Sequence, residues 1–122
     1  MQIIQGTTDF KLQKKSAVAI GKFDGIHLGH QELLSKVIEQ KNNGLQAVVF
    51  TFDPSPAALF SGKTIKELMT KEEKRSVFEQ MGIDVLIEFP LSMETAATEP
   101  ERFVKEYLSQ KLKATVIAAG TD

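Results

Sequence analysis

Four short apolar runs, each separated from the next by helical periodicity, constrain this chain most. They are SAVAI (16–20), LQAVVFTF (45–52), DVLIEF (84–89) and ATVIAAG (114–120). They are mostly continuous rather than alternating, the pattern of strands covered on both faces. After the first run, Leu33, Leu34, Val37 and Ile38 recur at helical spacing from about Gly29 to Asn42. Gly44 then supplies a left-handed cap. DPSP stops the second strand, because proline has no N–H for a ladder. A helix is predicted near Ile65–Met69. Thr70 and Glu73 fit a capping box that opens another, through Val77, Phe78 and Met81 to Gly82. Thr98 and Glu101 repeat the box, with Pro100 tolerated in the first turn. Phe103, Val104, Tyr107 and Leu108 form the buried stripe of the helix that follows, where core packing is expected of both rings. The alternation predicts one α/β domain, a doubly wound parallel sheet of about four main strands.

In such a sheet ligands sit beyond the carboxyl ends of the strands, where the strand order reverses. That places GKFDGIHLGH, TFDPSP and AGTD on the ligand side. Composition narrows the chemistry. The 15 basic and 16 acidic residues are interleaved, with a net charge of −1. No basic stripe or polybasic face predicts a nucleic-acid or membrane partner. Cysteine is absent, which excludes disulfides, thiolate metal sites and a cysteine nucleophile. With only two histidines, no protein metal site is expected. The N-terminal residues lack the apolar core of a signal peptide, and no apolar run approaches the roughly 20 residues of a membrane span. A cytoplasmic location is the expectation.

Both histidines, His27 and His30, fall in GKFDGIHLGH. Gly21 and Gly25 are expected to let the loop turn sharply, and Gly29 to let a ligand approach the helix start. The free N–H groups and positive dipole end there favour an anion. Two imidazoles three residues apart add donors that suit phosphate oxygens whose charge grows during phosphoryl or nucleotidyl transfer. The plain alternative makes one histidine a cap and the other a surface residue. Gly21, Gly25 and Gly29 do not fit the dinucleotide fingerprint G-x-G-x-x-G. Lys22 is either a phosphate contact or a solvated lysine. Asp53 is either a turn cap or a ligand contact. The run Lys71, Glu72, Glu73, Lys74, Arg75 reads as a solvated helix face.

GKFDGIHLGH resembles the G-x-F-D-x-x-H-x-G-H motif of the nucleotidylyltransferase superfamily. With TFDPSP, LMTKEEK, MGIDVLIEFP and EPERFVKEYL, nearly the whole chain resembles the N-terminal module of prokaryotic bifunctional riboflavin kinase/FMN adenylyltransferases, the FAD synthetases. The resemblance implies a Rossmann-like nucleotidylyltransferase fold, with the four strands in the order 3-2-1-4. It implies that His27 and His30 bind ATP phosphates and stabilise adenylyl transfer. Gly21, Lys22, Phe23, Asp24, Gly25, Gly29 and Asp122 would then complete the ATP site. Pro54 and Pro56 would lie against the flavin, with Ser55 where relatives commonly have histidine. The implied reaction is FMN + ATP → FAD + pyrophosphate with Mg2+. Of the family's G-x-D/N-F-x-F-G segment only Gly120, Thr121 and Asp122 are present. A last strand, the serine- and arginine-bearing ATP loop and the C-terminal riboflavin kinase barrel have no counterpart. Residues 1–122 therefore read as an FMN adenylyltransferase domain, C-terminally incomplete, that would work beside a riboflavin kinase domain in a longer chain. Two rivals stand: another H-x-G-H nucleotidylyltransferase with a different phosphate acceptor, and a non-catalytic nucleotide- or flavin-binding module.

Overall fold

The computed structural model describes residues 1–21, 23, 28–53, 70–90, 92 and 104–119. Among them are five strands: β1 (Gln2–Gln5), β2 (Ser16–Ile20), β3 (Gln46–Phe52), β4 (Val85–Phe89) and β5 (Ala114–Ala119). Helix α1 (Leu28–Glu39) follows β2 and tightens into a 3-10 turn at Gln40–Asn43, and α2 (Lys71–Met81) lies between β3 and β4. The sheet is parallel throughout, in the order β1-β4-β3-β2-β5. The four strands expected from the apolar runs stand in the expected order. The correction is at the edges: β1, QIIQ, has two apolar residues between glutamines, leaves Ile3 41% exposed and lacks the buried run that marks β2, β3 and β4, while β5 keeps its apolar run but is covered on one face only, with Ile117 45% exposed.

Side chains leave a strand alternately toward its two faces, and the core divides accordingly. One face carries Ala17, Ala19, Ala47, Val49 and Leu86, packed with Leu34 and Val37 of α1 and Phe78 of α2. Small alanines on the central strands leave room for helix to approach sheet. The other face carries Val18, Val48, Phe50, Val85, Ile87 and Phe89, packed with Phe10, Leu12, Leu108 and Leu112. Tyr107 packs edge-on against Phe89, centroids 5.0 Å apart, which makes its expected core role right.

The predicted helix ends are present at Gly44, with φ 79°, and Gly82, with φ 101°. The Thr70 hydroxyl accepts from the Glu73 N–H at 3.1 Å, and the Glu73 carboxylate accepts from the Thr70 N–H at 3.0 Å. One helix differs in kind. Val104–Lys111 is a π-helix, closed by the Leu112 N–H donating to the carbonyl of Tyr107, five residues back, at 3.1 Å. Apolar spacings of three and four residues fit an α-helix and a short π-helix alike, so the pattern could not separate them. The predicted helix near Ile65–Met69, the second capping box at Thr98 and Glu101, and Phe103 lie outside the described residues.

Candidate active site

β2 is flanked by β3 on one side and β5 on the other. The chain steps outward from β2 through β3 to β4, then returns to place β5 on the opposite flank. The order reverses at the carboxyl end of β2, where an open α/β sheet has its ligand crevice. Gly21 ends β2 there, and α1 begins at Leu28, putting Gly29 and His30 in its first turn. The first four N–H groups of a helix have no partner within it. No carboxylate occupies this first turn, so the positive end of the dipole is left for an anion.

His30 is 4% exposed, which rules out the surface-residue alternative for it. Its imidazole packs against the Phe23 ring, centroids 5.1 Å apart. Phe23 is fully buried and meets Phe78 of α2 edge-on at 5.6 Å. The three rings form a stack that fixes the imidazole from behind. The chain bends at Gly21, as expected. Gly21 is absent from the left-handed region, and Phe23 adopts it, with φ 53°. What requires glycine at 21 is space: a Cβ there would lie 3.2 and 3.3 Å from Phe23 ring carbons. Lys22, Asp24, Gly25, His27, Pro54, Pro56 and Asp122 lie outside the described residues.

A second group at the same end of the sheet joins Asp53, weighed above as a turn cap or a ligand contact, to residues the expectations did not single out. In register, Gln5 stands beside Glu88, and Glu88 beside Thr51. Asp53 extends this edge, its N–H donating to the carbonyl of Phe89 at 2.9 Å. Arg75 and Lys71, one turn apart on α2, reach across to these residues. Arg75 forks onto the carboxylate of Glu88, Nε to Oε2 at 3.0 Å and a terminal nitrogen to Oε1 at 2.5 Å. The same terminal nitrogen donates to the Gln5 side chain at 3.0 Å. Lys71 Nζ donates to Asp53 Oδ2 at 2.5 Å. The hydrogen bond to Asp53 holds the Lys71 ammonium above its ordinary pKa, and the bonds to Glu88 push Arg75 further up. The reading of 71–75 as a wholly solvated face is thus wrong for these two. Their four-residue spacing put both on one side of the helix, but the partner carboxylates come from two strands and no local pattern names them.

Comparison with known proteins agrees with this geometry. The sequence profile of FAD synthetase matches residues 9–122. A bifunctional riboflavin kinase/FMN adenylyltransferase of Buchnera aphidicola is 34% identical over 125 aligned residues, covering all of this chain and 40% of the relative. Its Bacillus subtilis counterpart is 38% identical, covering 79% of this chain and 31% of the relative. A Listeria monocytogenes FAD synthetase is 32% identical, covering 92% and 46%. The chain therefore spans less than half the length of these relatives. In structure it is similar to a Streptococcus pneumoniae chain described as a macrolide-efflux protein, with TM-score 0.81 and 27% identity over 98% of this chain and 40% of that one. No helix among the described residues here is long and apolar enough to cross a membrane. Profile, relatives, the parallel sheet and the histidine-bearing helix start agree: this chain belongs to the FAD synthetase family.

Proposed function

We propose that this chain transfers the adenylyl group of ATP to FMN, forming FAD and pyrophosphate. The observation that carries the reading is His30, held by Phe23 in the first turn of α1 at the carboxyl end of β2. A phosphate oxygen of FMN bonds to the α-phosphorus of ATP. The bond from that phosphorus to its β-bridging oxygen breaks, and the electron pair leaves with pyrophosphate. No protein nucleophile enters. The N–H groups opening α1, His30 and the neighbouring His27 donate to the oxygens on which charge builds. Donors set in advance need no reorganisation when the charge moves. Gly21, Lys22, Phe23, Asp24, Gly25, Gly29 and Asp122 complete the nucleotide side in this reading, with Phe23 acting from behind His30. Pro54 and Pro56 form the flavin side.

Mg2+ fits as a companion of the nucleotide. Asp53 and Glu88, the carboxylates described at this edge, are engaged by Lys71 and Arg75. Among the described residues no cluster of His, Asp and Glu that could hold a metal ion is found, which is consistent with an ion that would arrive with the nucleotide. The chemistry it would supply is neutralisation of charge on the phosphates. The names of the relatives support a riboflavin kinase region as the working partner, its product FMN being the substrate here; in this reading the work is done in the cytoplasm.

The full gene product, incubated with ATP, Mg2+ and FMN, is expected to yield FAD on chromatography. Parallel incubations replace FMN with nicotinamide mononucleotide, phosphopantetheine or phosphocholine. Adenylylation of one of those instead would keep the chemistry and change the acceptor. ATP binding with no product from any of them would refute catalysis.

A further inference from the structure

We propose that Lys71 is a positioning residue for the flavin substrate, acting through Asp53 and held in place by Arg75. This rests on the reading of the chain as an FMN adenylyltransferase. Asp53 is the first residue after β3 and the one from which the Pro54–Pro56 stretch departs. Its main chain is tied to β4 by the bond to the Phe89 carbonyl, and its carboxylate is tied to α2 by Lys71. Two anchors, one from the sheet and one from the helix, define where the chain leaves the sheet.

The helix end that carries Lys71 is itself fixed. Arg75 spans Glu88 of β4 and Gln5 of β1 with three hydrogen bonds, and the planar guanidinium fork makes that attachment directional. The capping box on Thr70 sets the helix start one residue before Lys71. Phe78, on the same helix, backs Phe23 and through it His30. One helix therefore links the two sides of the site, touching the histidine side through Phe78 and the β3 exit through Lys71. A structural ion pair alone would serve as well anywhere along the sheet. This one stands at the carboxyl end, on the residue that starts the flavin-side stretch.

The test uses the full gene product with Lys71→Met and Lys71→Arg. For Lys71→Met we expect KM for FMN, and the Kd for FMN read by flavin fluorescence, to rise about fivefold, the scale of a half-exposed pair. The kcat and KM for ATP are expected to stay within about twofold, and Lys71→Arg to restore FMN affinity. Unchanged FMN affinity in Lys71→Met, an equal loss toward ATP, or failure of Lys71→Arg to rescue a variant with native Tm would overturn the proposal. Wild-type turnover is measured first. A wild type that binds FMN but makes no FAD refutes adenylyl transfer, and the FMN Kd then decides the role of Lys71. A wild type that binds no FMN overturns both.

Discussion

Gly21→Ala tests whether the ring stack behind His30 governs the site. The added Cβ would meet three carbons of the Phe23 ring at 3.2, 3.3 and 3.6 Å, whereas carbon atoms rest at about 3.5–4.0 Å. The ring must therefore retreat by a few tenths of an ångström. It has little room, being fully buried with the His30 imidazole and the Phe78 ring against it. Overpacking of this kind costs about 1–3 kcal/mol. For a chain of this size that is a Tm lower by about 4–12 °C. Backbone strain adds nothing, since Gly21 does not occupy the left-handed region. The retreat pushes the imidazole, and a misplacement near 1 Å can cost about 100-fold in rate, so FAD formation should fall about tenfold. Phe23→Leu in the same chain removes the clashing ring edge. The double variant should be more stable than the sum of the two single losses, with a coupling of about 0.5–3 kcal/mol. Thermal unfolding and an FAD assay on the four proteins read this out. A Gly21→Ala protein with native Tm and turnover, or strictly additive losses, would show that the stack does not transmit the displacement.

Three further outcomes are expected. His30→Gln, which keeps a hydrogen-bonding side chain in place, should lower kcat for FAD formation by about 10²- to 10³-fold, checked by steady-state kinetics at saturating ATP and FMN. Arg75→Met strands the Glu88 carboxylate, 5% exposed, and should cost about 3 kcal/mol in urea unfolding; adding Glu88→Gln should recover part of that loss, because a neutral amide is less costly to bury than a lone charge. The pKa of Glu73 is lowered, first by the backbone N–H of Thr70 and then by its side chain. A depressed carboxylate stabilises the fold above its unfolded value, near 4.3, and loses that contribution as pH falls through the folded one. Tm should therefore drop on acidification through this range, and the drop should be smaller in Thr70→Ala, followed by thermal scans between pH 7 and pH 3.

The central strands were legible because burial on both faces forces continuous apolar runs, and such runs survive translation into sequence. β1 was not, because an edge strand with one exposed isoleucine satisfies its ladder with β4 without needing such a run. Helix ends carried by single local devices, the Thr70–Glu73 box and the glycines at 44 and 82, were legible for the opposite reason: the device and its effect lie within a few residues. The π-helix escaped because its identity resides in hydrogen-bond register, which side-chain spacing reports only coarsely.

The same distinction explains what the site yielded. His30 and Gly21 stood out by residue type beside a strand end; the bend at Gly21 is legible there, and the close approach of the Phe23 ring is not. Glycine is usually explained by its own backbone, while here its value lies in what Phe23 does two residues later. Lys71 and Arg75 were hidden by being charged among charges. Their partners are 18 and 13 residues away, just past β3 and on β4, and only the sheet register brings Gln5, Glu88 and the β3 exit level with one helix face. The histidine side of the site is thus specified by a local segment, and the β3 side by a helix that meets three strands. On the proposed reading, a change to α2 should consequently be felt first at the β3 exit, assigned there to the flavin. Among the described residues it reaches the nucleotide side through Phe78 and the ring stack, and this asymmetry is what the KM values of Lys71→Met are expected to show.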